Sequence, residues 1–132
     1  MSWNLEDRFR IPENSYVLSF IEHENPSAHD GIASMLTSSA RGLRYVRWYC
    51  PDVHAYAYVV LHTRNNRIFG IAYGMRVISF RLPNVALAEA VADGGFICDE
   101  IGGDWISVTK NLDVWCKRAH DYVVSNTFET GR

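Results

Sequence analysis

Apolar residues recur at helical spacing early in the chain, at every second position through its middle, and at helical spacing again toward its end. Ser27 opens the first clear helix signal. Asp30 follows three residues later as a capping-box-like acid, Ile32, Met35, Leu36, Ser39, Ala40 and Leu43 share one stripe, and Arg41 and Gly42 supply the stop. The run before it, residues 16–21, reads two ways: a short helix capped at Asn14 or Ser15 and broken before Pro26, or a strand; helix is the favoured reading. Across residues 44–82 the period becomes two and aromatic and β-branched side chains dominate, which predicts three or four antiparallel strands. Asn65 and Asn66 mark a tight hairpin, because asparagine tolerates positive φ, and Gly74 marks the next turn.

Pro83 or Asn84 begins another helix, with Val85, Ala88, Val91 and Ala92 on its stripe and Gly94 and Gly95 as its stop. Residues 104–108 then read as a short strand. Thr109 or Asn111 caps a last helix on which Leu112, Trp115, Ala119, Tyr122 and Val123 form an amphipathic stripe. Helices interleaved with antiparallel strands in this order predict an α+β domain, with about four to five strands and the helices mainly on one face of the sheet. No repeat or Gly/Ser-rich linker divides the chain, so residues 1–132 are expected to form one domain, with 1–13 as a flexible polar arm.

Arg67-Ile68-Phe69-Gly70 entering a hairpin, the alternating strand 76–82, the helix after Pro83, and Gly103-Asp104-Trp105-Ile106-Ser107-Val108 feeding a helix with Trp115, Ala119 and Tyr122 form a recognisable series. Over residues 67–124 the chain resembles the small YjbR/MmcQ-like proteins and, more distantly, the N-terminal domain of the TfoX competence regulators. That resemblance implies a curved antiparallel sheet and a DNA-binding role; it carries no catalytic signature.

Composition narrows the class. Of the 132 residues 48% are hydrophobic and 21% charged, so the core needs neither disulfides nor metal. A net charge of −2 excludes a uniformly basic nucleic-acid binder but not a local basic patch. No apolar run is long enough to span a bilayer, and the first residues carry Glu6, Asp7, Arg8 and Arg10, so a cytoplasmic location and no membrane partner are expected. Cys50, Cys98 and Cys116 are odd in number and widely spaced, which argues for reduced thiols, with Cys116 partly buried.

The charge is unevenly spread. Between residues 41 and 81 seven arginines face one acid, Asp52, a net of +6 that leaves −8 for the rest of the chain. Eight of the seventeen aromatic residues share this segment, and guanidinium groups suit both phosphate pairing and stacking on rings. Within residues 53–63 the odd positions Val53, Ala55, Ala57, Val59 and Leu61 are apolar and belong to the core, whereas His54, Tyr56, Tyr58, Val60 and His62 alternate with them. If helices leave that second face open, it stacks bases and neutralises phosphates. Two readings result. In the first, Arg44, Arg47, Arg67, Arg76 and Arg81 contact a nucleic acid or another polyanion while Trp48, Tyr56 and Tyr58 stack. In the second, the arginines pair with acids such as Glu89, Asp99 and Glu100, and the aromatic face joins two copies or binds a protein.

Signals for catalysis are weak, so the expectation is a binding module without a cofactor or metal rather than an enzyme. Cys50, Asp52 and His54 share parity, but Pro51 interrupts a regular strand there. His54 and His62 share a face, yet eight residues at about 3.3 Å each would hold them roughly 26 Å apart. His23, His29 and His120 read as exposed or capping residues, and Cys98 beside Asp99 and Glu100 reads as an unactivated thiol. Gly94-Gly95 and Gly102-Gly103 lack the strand–glycine–helix context of a phosphate loop. Trp105 and Trp115 fall on core-facing positions, whereas the facing of Trp48 is open.

Overall fold

The structure, a computed structural model, describes residues 10–24, 28–49 and 57–124. Helix α1 spans Ser15–Glu24 and α2 spans Asp30–Ser39. Strands β1 (Val46–Tyr49), β2 (Tyr58–His62), β3 (Ile68–Tyr73) and β4 (Val77–Arg81) follow, then α3 (Asn84–Ala92), β5 (Phe96–Ile97), β6 (Trp105–Ser107) and α4 (Leu112–Val124). The six strands form one antiparallel sheet in the order β1-β2-β3-β4-β6-β5. This is the expected α+β architecture with one more strand.

Residues 16–21 are helical. Val17, Leu18, Phe20 and Ile21 are buried on one stripe of α1, while Tyr16, Ser19, Glu22 and His23 face out. Ser27 lies outside the described residues, and α2 begins later than its pattern suggested. His29 is its N-cap, with Nδ1 accepting from the Gly31 amide at 3.0 Å, so Asp30 occupies the first helical position rather than the third.

Three helices lie on one face of the sheet and one on the other. Ile32 and Leu36 of α2, Ala86 and Ala90 of α3, and Trp115, Cys116, Ala119 and Val123 of α4 pack on Val60, Phe69, Ala72, Ile78, Phe80 and Ile106. Across the sheet, α1 packs on Ala57, Val59, Leu61, Ile68, Ile71, Tyr73 and Trp105. The alternation in β2 therefore separates two cores. Ala57, Val59 and Leu61 face α1, and the positions expected to be open, Tyr58 and His62, face α2 and α4 instead. His62 is 1% exposed, which corrects the expectation of an uncovered histidine–tyrosine face; the α1 stripe is what closes the other side.

The β2–β3 ladder contains a bulge. Val60 pairs with Gly70 and Leu61 with Ile68, leaving Phe69 as the extra residue. Phe69 and Gly70 consequently share the α2/α4 side, and Gly70 makes this tolerable: a Cβ there would lie 2.7 Å from Val60 Cγ2 and 3.0 Å from Phe80 Cδ1. Asn66, at φ 61, turns the hairpin as expected. Buried Asn14, ending the 3-10 turn Pro12–Asn14, ties the segment before α1 to that hairpin. Its Nδ2 donates to the Asn66 carbonyl and its Oδ1 accepts from the Ile68 amide, both at 2.8 Å.

Candidate anionic-ligand face

β1 is the terminal strand of the described sheet, and its register with β2 determines which face each of its residues joins. Val46 pairs with His62 and Trp48 with Val60, so both belong to the α2/α4 side; Arg47 pairs with Leu61 and belongs to the α1 side. Trp48 is 54% exposed and lies on Tyr58, ring centroids 5.6 Å apart, at a small cleft of about 180 Å3 lined by Asp30, Ala33, Ser34 and Thr37 of α2. Arg47 and Trp48 are thus neighbours in sequence on opposite faces of one strand.

At the entrance to β1 stands Tyr45, a bulky residue at φ 62. Such backbone costs about 1–3 kcal/mol and persists only where surrounding contacts impose it. Here the Tyr45 carbonyl accepts from the Thr63 amide at 2.8 Å, and its half-exposed ring stacks on His62 at 5.9 Å. The Arg64 guanidinium sits 4.2 Å from the Tyr45 centroid and that of Arg44 5.8 Å, both within cation–π range. Beneath Tyr45 the series continues inward, from His62 to His120 at 4.6 Å and from His120 to Phe69 at 5.6 Å. His62 Nδ1 accepts from the Arg64 amide at 3.2 Å, and His120 Nε2 lies 2.7 Å from the Arg44 carbonyl. Burial, then His120 and Arg64, push the His62 pKa below its ordinary value, against a smaller opposing pull from Asp121.

The expected site residues divide into three sets. Arg44, Arg47 and Arg76 are exposed and, with Arg64, make no ion pair among the described residues. Arg47 and Trp48 lie in β1 and Arg44 just before it, whereas Arg76 is in the β3–β4 turn. Arg67 and Arg81 are inside the structure. Arg67 binds Glu13 at 3.1 Å and the Val123 carbonyl at 2.8 Å; Arg81, 2% exposed, donates to Asp104 Oδ2 at 2.6 Å and to the Glu13 carbonyl. These two guanidiniums hold the N-terminal turn and the C-terminal end of α4 against the sheet. Tyr56, with Cys50, Asp52 and His54, lies outside the described residues.

Two of the three acids expected to neutralise the basic segment are occupied elsewhere, and the third, Asp99, lines a cleft beside α1. Glu89 pairs with Arg118 of α4, and Glu100 accepts from Tyr73 Oη at 2.8 Å. Arg64 and Tyr45 were missed as site residues because neither periodicity nor spacing predicts a left-handed tyrosine that meets a turn arginine. The His62–His120 contact joins β2 to α4 and likewise left no local signal.

Two larger clefts carry other chemistry. One of about 440 Å3 lies between α1 and the loop before β6, lined by Tyr16, Phe20, His23, Glu24, Asp99 and Glu100. Its acids oppose an anionic ligand. The second, about 580 Å3, runs between α2 and the start of α4 past Met35, Ser38, Lys110 and Asp113. Cys98 is buried with Sγ 3.0 Å from Ser79 Oγ, and burial raises its thiol pKa, with Glu100 adding to the effect; Cys116 is fully buried and its thiol is pushed up to about 11. Both are poor nucleophiles. Among the described residues no three His, Cys, Asp or Glu side chains gather as a metal site, and no helix is long and apolar enough to cross a membrane.

In comparisons with protein-family models, with curated proteins and with solved structures, nothing matches this chain.

Proposed function

We propose that this protein is a binding module that recognises an anionic ligand, foremost a nucleic acid strand, along β1 and its approach. The observation that carries the reading is the set of exposed arginines without ion pairs among the described residues, Arg44, Arg47 and Arg64, beside the exposed rings of Tyr45 and Trp48. Guanidinium groups that no described acid pairs keep their charge available for phosphate, and the rings supply stacking surface for unpaired bases. Arg76, in the β3–β4 turn, adds an exposed positive charge at the end of the sheet away from Tyr45. Membership of the YjbR/MmcQ-like group belongs to the same proposal and rests on the residue pattern over 67–124 alone.

A strand that ends a sheet also fits pairing with a second copy, and the 54% exposure of Trp48 favours that as the competing reading. Fluorescence anisotropy with labelled single-stranded and duplex DNA at about 50 and 200 mM salt, together with a sizing run, separates the two. The proposal expects affinity to fall steeply with salt and to weaken in Arg44→Ala and Arg47→Ala. Absence of binding at the lower salt, with a dimer that Trp48→Ala dissociates, overturns it in favour of assembly.

A further inference from the structure

The cleft beside Trp48 has the parts of a base-reading subsite, and we propose that it selects guanine in an unpaired strand; this rests on the nucleic-acid reading above and specifies its ligand. The platform is the exposed ring of Trp48, which leans on the partly buried Tyr58 with centroids 5.6 Å apart and planes 35° from parallel. Along one side of it runs the first part of α2. Asp30, in the first helical turn, brings a carboxylate to the cleft and Ser34, one turn further, a hydroxyl. Neither side chain has a hydrogen-bond or ion-pair partner among the described residues, whereas the Thr37 hydroxyl is already committed to the Ser34 carbonyl at 3.0 Å.

The hydrogen-bonding inventory identifies the base. An ionised carboxylate offers two acceptor oxygens side by side and no donor. Guanine alone among the common bases presents two adjacent donors, N1–H and the N2 amino group, on its Watson–Crick edge. Adenine and cytosine present one amino donor beside a ring-nitrogen acceptor, and thymine one N–H between two carbonyls. A base stacked on Trp48 with that edge toward Asp30 satisfies the carboxylate only if it is guanine; the others direct an acceptor at it. The same carboxylate repels phosphate, so the backbone must run on the far side of the base. Arg76, exposed in the β3–β4 turn, stands at the same end of the sheet as Tyr58, whereas Arg47 adjoins Trp48 on the opposite face of β1 and reaches the backbone only around the sheet edge.

The test uses the full chain and labelled strands of about six nucleotides, abasic except for one central guanine, adenine or hypoxanthine, at about 50 mM salt. Guanine is expected to bind about tenfold more tightly than adenine. Hypoxanthine, which keeps N1–H and lacks the amino group, should lose about threefold relative to guanine. Asp30→Asn, which keeps the size of the side chain, should bring the three to parity. Trp48→Ala should weaken all of them, and Trp48→Phe, which retains a ring on Tyr58, should restore most of the loss. Equal affinity for guanine and adenine in the wild-type protein, or preference unchanged in Asp30→Asn, overturns guanine selectivity while leaving strand binding intact. Failure of every strand to bind overturns both.

Discussion

The imidazole rings of His62 and His120 lie 4.6 Å apart, and their nitrogens meet different kinds of partner, a backbone amide at His62 and oxygen atoms at His120. His62 Nδ1 accepts an amide proton from Arg64, so it carries none of its own and the ring is neutral. The His120 ring lies between two oxygens, the Arg44 carbonyl 2.7 Å from Nε2 and Asp121 Oδ1 3.2 Å from Nδ1. Burial works against the Asp121 carboxylate, but hydrogen bonds from Lys117 and His120 outweigh it and keep its pKa below the ordinary value.

Stability is expected to fall with acid through His62. Its pKa in the unfolded chain is near 6.5 and is lower in the folded protein, so the unfolded chain takes up the proton first. The contribution is complete above pH 6.5, declines as pH falls below that value, and stops declining once the folded-state pKa is passed. Unfolding curves at about pH 7.5, 6.5 and 5.5 cover this window above the carboxylate range. His62→Gln should be less stable at neutral pH and show a flatter dependence; an unchanged slope refutes the assignment.

Gly70→Ala should cost about 2 kcal/mol, because its Cβ must displace Val60 and Phe80 within a closed core. The conflict is specific. Val60→Ala removes the Cγ2 atom 2.7 Å from the new Cβ, so urea titrations of the double variant should show a penalty smaller than the two single penalties added together. Strict additivity would place the strain elsewhere.

What could be read from the sequence follows from the range of the interaction. The α4 stripe and the turns at Asn66, Gly74 and Gly94 are local, and their periodicities and positive-φ residues are visible in a few consecutive letters. That Trp105 and Trp115 pack in the core was legible for the same reason. Alternation in β2 identified two faces but not what covers them: α1 has a short stripe, and nothing in it specifies which side of the sheet it takes. Arg67 and Arg81 looked like their exposed counterparts because their partners, Glu13 and Asp104, are brought in by the fold. Composition measured the basic segment correctly and left open which guanidiniums remain available.

The Arg81–Asp104 pair should behave as a buried charge that requires its partner. Asp104→Ala removes the carboxylate to which the buried guanidinium donates at 2.6 Å and should cost about 3–5 kcal/mol. Replacing both members, as Arg81→Met with Asp104→Ala, should cost less than Asp104→Ala alone. Chemical denaturation of the three proteins measures this, and a double variant as unstable as Asp104→Ala would mean that the Glu13 contact, rather than charge compensation, is what matters.

The burial of Arg81 also divides the arginines in binding experiments. Each exposed guanidinium that contacts phosphate should, when changed to alanine, lower the slope of log affinity against log salt by about one. Arg44→Ala and Arg64→Ala should both show this, since their guanidiniums share the Tyr45 ring. Arg81→Met should leave the slope unchanged, because its guanidinium is already neutralised by Asp104 and withdrawn from solvent. Affinities of labelled single-stranded DNA at several salt concentrations give the slopes. Equal slopes for all three variants and the wild-type protein would remove phosphate contact from the Tyr45 cluster and leave Arg47 and Arg76 as its remaining candidates.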